Sequence, residues 1–527
     1  SLTSTGGDVY IEQWIPRTTG TVTIRAADRL EINQRIYTNH GDISLYAGAG
    51  GIWQNPLADP NPVADQNTFA ISDIDARNGN LYLEAVGDIQ PWVLRTNRNL
   101  TVKSTTGSIT GGRIEPSRNN PMEILGGPDR VELAGYAGIS GFSAVFSPDV
   151  SAISANGSIV NLGIYLPSSL LLIAADDILT PTSVMGSAPR LYAGRDIVLN
   201  GIYGGDMTAY AGRDFVTTLN VAPGILSSLD LSAGYAPFDT LAGVTIAGVA
   251  APVWGGPFGT GDISISAAAP DKILWVEGNG GFVARATGDV TLPQVHVSYS
   301  LDPSNITPWA STLGQQLIQP FDLTAGGNIT LERLQTVGPV SMVSTGGDIQ
   351  IDFTLGAHVS TDPLVDPAQY WNPDDLGLAR LLLRADNGDI HMHEARAEGD
   401  ISITAPNGVF SFLGVLDGIE AGGARVVSDA GGAVAVSDSI DPTPVARIAR
   451  PGFAAPAIAV GPTLVGPAAA PQPGALPPAA PAAPLIASSS PGAAPGAPNA
   501  ASGSVANSGP SGVNVDGSQA GDASGGD

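Results

Sequence analysis

The chain offers five histidines and 49 acidic residues for chemistry. His391, Met392, His393 and Glu394 form its densest group of possible ligands. On a strand the two imidazoles point to one side and Glu394 to the other. Two imidazoles make half of a zinc site, and the spacing supplies no third ligand. The expectation is therefore exposed histidines on an outer face. His40, His296 and His358 stand apart from one another. Paired carboxylates serve acid–base work on polysaccharides, and Asp176-Asp177 and Asp374-Asp375 are adjacent pairs. Such an enzyme also needs cations near its acids, and no such cluster stands out. The glycine-rich run Gly48-Ala49-Gly50-Gly51 lacks the strand-then-helix setting and the Lys of a phosphate loop. Gly6-Gly7-Asp8 and Gly346-Gly347-Asp348 lack the third glycine of the calcium-binding nonapeptide. No catalytic, metal or cofactor-binding residue is assigned, and the expectation is a chain that is not an enzyme and needs no cofactor.

Most of the acids sit in a recurring phrase: Gly, then Asp, Asn or Ser, then alternating apolar and small or polar residues. Examples are Gly41-Asp42-Ile43-Ser44-Leu45, Gly79-Asn80-Leu81-Tyr82-Leu83, Gly157-Ser158-Ile159, Gly205-Asp206-Met207, Gly261-Asp262-Ile263-Ser264-Ile265, Gly347-Asp348-Ile349 and Gly399-Asp400-Ile401-Ser402-Ile403. Asp177, Asp196 and Asp214 lie 19 and 18 residues apart, Asn328 and Asp348 lie 20 apart, and Asp262 and Asp289 lie 27 apart. A period near twenty with tolerated insertions describes a solenoid of stacked windings. A short alternating strand cannot bury its apolar face alone. Stacking turns Ile43 and Leu45, Ile263 and Ile265, and Ile401 and Ile403 into continuous inward columns. Glycine supplies the corner angles, and Asp or Asn is expected to bond the backbone two residues on. About twenty windings spaced about 4.8 Å apart would make a rod of roughly 95 Å. A β-sandwich, or several in series, also shows frequent turns, but it does not usually repeat one turn phrase at one interval. Helical periodicity is sparse up to Val436, and Asp374–Arg384 reads as either a helix or a buried strand.

Composition agrees with an all-β chain. Gly counts 67 and Pro 42, only 6% of residues are aromatic, and 43% are hydrophobic. A formal charge of −26 repels phosphate, so no nucleic-acid partner is expected. Cysteine is absent, which removes disulfides and thiolate metal sites. Such chains are common among proteins exported across two bacterial membranes. The sequence opens within the repeat, at Thr5-Gly6-Gly7-Asp8-Val9, which reads as an internal or C-terminal piece of a longer polypeptide. Three proline-bearing stretches, Trp53–Ile71, Ser298–Pro320 and Gly356–Asp375, read as loops thrown out from the windings, where recognition often sits. The body is placed at 1–440. From 441 to 527 Pro, Ala, Gly and Ser dominate, and this segment is expected to be a disordered tail.

The run Leu191-Tyr192-Ala193-Gly194-Arg195-Asp196-Ile197-Val198-Leu199 and its echo Tyr210-Ala211-Gly212-Arg213-Asp214-Phe215 resemble the repeats of filamentous haemagglutinin and related large exoproteins. So do Gly41-Asp42-Ile43-Ser44-Leu45-Tyr46-Ala47-Gly48 and Thr324-Ala325-Gly326-Gly327-Asn328-Ile329-Thr330-Leu331. The resemblance covers the body to about Ser411. It implies a right-handed parallel β-helix, secretion through a dedicated outer-membrane transporter partner, and a place outside a Gram-negative cell, secreted or on the outer-membrane surface. It further implies an adhesive or biofilm role toward a host or neighbouring-cell receptor or glycan. The family's N-terminal secretion motifs are not visible, and no globular toxin follows the repeats. The chain thus resembles the less regular C-terminal region of such a protein. A β-helical polysaccharide-active enzyme or a tailspike-like protein is the alternative, and an autotransporter passenger a third reading.

Overall fold

In most of the described short strands, alternate residues turn inward. Ile43–Ala47 buries Ile43 and Leu45 and leaves Ser44 and Tyr46 half-buried on the other side. Ile401–Ala405 does the same with Ile401 and Ile403 against Ser402 and Thr404. Parallel pairing then puts like on like. Ile43 and Leu45 face Leu81 and Leu83 of the next winding, which face Leu100 and Val102 of the one after. Each strand buries its apolar row only because equivalents lie on either side of it.

The computed structural model describes residues 1–56, 73–117, 128–165, 167–180, 184–219, 224–235, 241–254, 258–270, 272–298, 320–358, 380–397, 400–413, 418–421 and 425–429. These form a parallel β-helix. A winding is a triangle of strands, such as Ile43–Ala47, Gly51–Gln54 and Ile74–Ala76. We call these three sheets the first, second and third faces. In several windings two faces join in one bent strand, as in Ile349–His358. Pairing throughout the large sheet is parallel. Among the described residues the one antiparallel pair is Thr245–Ile246 with Val249–Ala250, and no α-helix occurs.

Register matches the sequence intervals. Ile178 pairs with Ile197 and Ile197 with Phe215, Ile329 with Ile349, and Ile263 with Val290. One continuous core holds the inward residues, Leu- and Ile-rich with Phe142, Phe215, Phe282, Phe321 and Phe410 fully buried. At a corner such as Gly388, a side-chain carbon would collide with the Gly347 carbonyl of the winding below, so only glycine fits there,.

One open reading is resolved and several expectations are corrected. Asp374–Arg384 contributes the strand Leu381–Ala385, whose alternate residues are buried, so its described part is strand. The first proline-bearing stretch begins later than read. Trp53 and Gln54 belong to the strand Gly51–Gln54, and Gln54 is buried, accepting the Trp92 N–H at 2.8 Å. Ser298 ends the strand Val290–Ser298, and Gly356 to His358 close Ile349–His358. Gly205-Asp206-Met207 lies within the strand Ile202–Ala211, whose two ends pair with the separate strands Val184–Gly186 and Pro189–Ala193, so the phrase marks a bend between the third and first faces. Residues 57–71, 299–319 and 359–375 of these stretches, with Tyr370 and Trp371, and the tail at 441–527 lie outside the described residues.

Candidate functional site

The acids of the repeated phrase were expected to bond their own turn. Instead each reaches the next winding. At the corner between the first and second faces, the Asp177 carboxylate accepts the backbone N–H of Asp196 (3.1 Å), and Asp196 that of Asp214 (3.2 Å). The chain of bonds continues through Asp262 (3.0 Å), Asp289 (2.8 Å), Asn328 (2.6 Å), Asp348 (2.9 Å) and Asp389 (2.8 Å), and ends on Val409 N–H (2.8 Å). Earlier windings use Asp8, Asp28 and Asp88 in the same way. A strand cannot continue its ladder around a tight bend, so the corner N–H would lose its partner there. The short acid or amide supplies one. Arginines join the ladder at two windings, Arg195 on Asp177 and Arg213 on Asp196, both with the guanidinium half exposed. Burial pushes the Asp196 carboxyl up, but its hydrogen bonds from Arg213 and from the Asp214 amide outweigh that and hold it below the ordinary value. Asp177, singled out as half of a carboxylate pair, is thus a rung of this ladder, while Asp374 and Asp375 lie outside the described residues.

A second group of acids is dry. On the third face, Asp75, Arg95 and Glu115 occupy the outward position of three successive windings. Asp73 and Asp75 have no exposed surface, and Arg95 and Glu115 are buried. Arg95 bonds Asp73 and also Glu115, the latter at 3.0 Å. Arg35 bonds Asp75 at 2.9 Å, whose other oxygen accepts the Ser117 hydroxyl at 2.6 Å. Arg113, at the rim, lies 3.4 Å from Glu115. The second oxygen of Asp73 is buried without a hydrogen-bond partner. Burial pushes the Asp73 carboxyl up to about 7; Arg95 and Arg35 oppose the shift, and Asp75 and Glu115 add to it. Sequence reasoning missed this group, because Asp73-Ile74-Asp75 and Arg95 look like ordinary outward residues and only three-dimensional register brings them together.

The histidines behave differently. His391 is on the outer face, with Nδ1 2.6 Å from the Ser411 hydroxyl. His393 and Glu394 both point outward, because the alternation slips between Met392 and Ala395, which are both inward. Glu394, expected on the opposite side, therefore points outward as the imidazoles do, though past the bend to the next face, and pairs with Arg396. Among the described residues no group of three or more His, Cys, Asp or Glu is arranged to hold a metal ion. His296 stacks on Trp275 with ring centroids 4.1 Å apart, and burial lowers its pKa to about 4.

A third feature lies outside the core. Along the first face, one outward column reads Tyr46, Glu84, Lys103, Ala134, Ile153, Ile173, Tyr192, Tyr210, Ser232, Arg285 by register. Its start is charged, with Lys103 and Glu84 2.9 Å apart, but from Ala134 to Tyr192 it is apolar and buried. The cover is the insertion between Ala233 and Ile263, whose Leu241, Ile246 and Trp254 pack on this column as a second apolar cluster. Trp254 donates its indole N–H to the Ala175 carbonyl at 3.2 Å. A side-chain carbon at Gly194 would collide with that indole. The signal was present in the sequence: Leu133-Ala134, Ala152-Ile153 and Leu172-Ile173 are apolar on both sides of their strands.

No family model matches the chain, and neither does any curated protein or solved structure.

Proposed function

We propose that this chain is part of a large secreted or surface-exposed bacterial protein of the filamentous-haemagglutinin type, a structural scaffold for adhesion or biofilm formation and not an enzyme. The observation that carries this reading is the use of its acids. The carboxylates of the repeated phrase are engaged in fastening one winding to the next, as Asp348 fastens Asp389. The acids that do gather, Asp73, Asp75 and Glu115, are buried against arginines, away from any polymer lying on the surface. Export would run through an outer-membrane transporter partner, and the ligand would be a receptor or glycan on a host or neighbouring cell.

The test uses the full chain immobilised on beads. Retention of the beads on bacterial or epithelial layers, or on polysaccharide-coated surfaces, is measured beside release of reducing ends from the same polysaccharides. Retention without release is the expected result. Release of reducing ends that is lost in Asp73→Asn or Glu115→Gln would replace this reading with that of a polysaccharide-active enzyme.

A further inference from the structure

Nearly every contact of this fold joins a winding to its neighbours, roughly twenty residues away. The insertion breaks that rule. Trp254 bonds Ala175, 79 residues earlier, and Ile246 and Leu241 reach windings that begin at Ala134. It also differs in how it is held. Among the described residues its own backbone bonds are few: Val244 N–H to the Leu241 carbonyl at 3.0 Å, Ala251 N–H to the Val244 carbonyl at 2.9 Å, and the short antiparallel pair. Among the described residues it shares no ladder with the solenoid. Its attachment is side-chain burial, the indole bond and the recess at Gly194. The solenoid beneath it does not depend on it, because Leu172, next to Ile173, belongs to the inner core, and its winding pairs on both sides.

We propose that the insertion from Leu241 to Trp254 is a strap that opens and closes on the first face as its own cooperative unit while the windings stay intact. Closing hides the apolar column from Ala134 to Tyr192 and ties together windings that otherwise touch only their neighbours. Opening bares that column without unwinding the helix. Few backbone bonds to the rest of the fold are the mark of a segment that opens sub-globally.

Because the natural chain has no cysteine, an introduced thiol reports one place only. Ile173→Cys lies beneath the strap and Leu172→Cys inside the core, with neither native side chain exposed. In the full chain under native conditions, thiol labelling at residue 173 is expected to be much faster than at 172. Adding Trp254→Ala should speed labelling at 173 on the order of 100-fold, as loss of a large buried side chain implies, and leave 172 unchanged. One labelling rate for both thiols, with or without Trp254, would overturn the proposal. Hydrogen exchange on the unaltered chain gives an independent reading that needs no substitution. The amides of Val244 and Ala251 should exchange together and well before that of Ile178, which bonds the Asp196 carbonyl at 2.8 Å. Equal protection of the three would also refute the strap.

Discussion

The same functional group does opposite work in two regions of this molecule. At the corner from Asp177 to Asp389, each winding presents one carboxylate or amide to one N–H, near water, and the arrangement repeats. On the third face, three acids and two arginines are packed together in a dry site, with one oxygen of Asp73 left unpaired. The corner is modular, so losing one rung exposes an N–H that water can serve. The dry group is collective, because each member's partner is also another's. A carboxylate's contribution is therefore set by what replaces its partner, not by its identity.

Four experiments would break or sharpen this contrast. The largest effect belongs to Arg95→Ala, which leaves Asp73 and Glu115 buried beside no guanidinium from that position. It should cost about 3–5 kcal/mol in denaturant unfolding. A cost below about 1 kcal/mol would mean that the group is wetter than its burial indicates. Asp73→Asn comes next, and its effect depends on pH. The folded pKa of Asp73 lies above its unfolded value, so its favourable contribution is complete below about pH 4 and is lost as pH rises through about 7,. The variant should accordingly gain on the natural chain by about 2–3 kcal/mol between about pH 5 and pH 8, read from paired unfolding curves. A flat difference would place the proton elsewhere.

The corner should respond less. Asp348→Ala removes the acceptor for the Asp389 amide and should cost about 1 kcal/mol. Asp348→Asn should recover most of this, since Asn328 already performs the same task one winding earlier. Failure of the amide to substitute would show that charge, rather than hydrogen bonding, holds the corner. Smallest of all is Arg213→Ala. Its exposed pair with Asp196 should contribute about 0–1 kcal/mol and fade with added salt.

Much of the solenoid could be read before any coordinates. The interval between Asp177 and Asp196 is the interval between paired Ile178 and Ile197, because a stacked fold writes its register directly into sequence spacing. Inward columns such as Ile263 and Ile265 were legible for the same reason. What escaped was whatever depends on the outside of a strand. Alternation says which residues leave the core, not what they then meet. Asp75 and Arg95 leave it and are buried together; Ser44 leaves it and is half-buried. The role of the corner acids was misassigned because Asp chemistry permits a local turn bond, and only the closeness of the next winding gives the competing amide its advantage. Glu394 was misplaced because the strand breaks its alternation between Met392 and Ala395, and nothing in the local sequence marks where.

The corner ladder also has a directional consequence. Each carboxylate accepts from a residue later in the chain, Asp262 from Asp289 and Asp289 from Asn328. A completed winding therefore holds out a ready acceptor, and a row of unsatisfied strand groups, for residues still to be placed. A winding added at the C-terminal side thus finds its acceptor already in place, with closure entropy incurred over one short loop at a time. Each finished layer is in this sense the mould for the next.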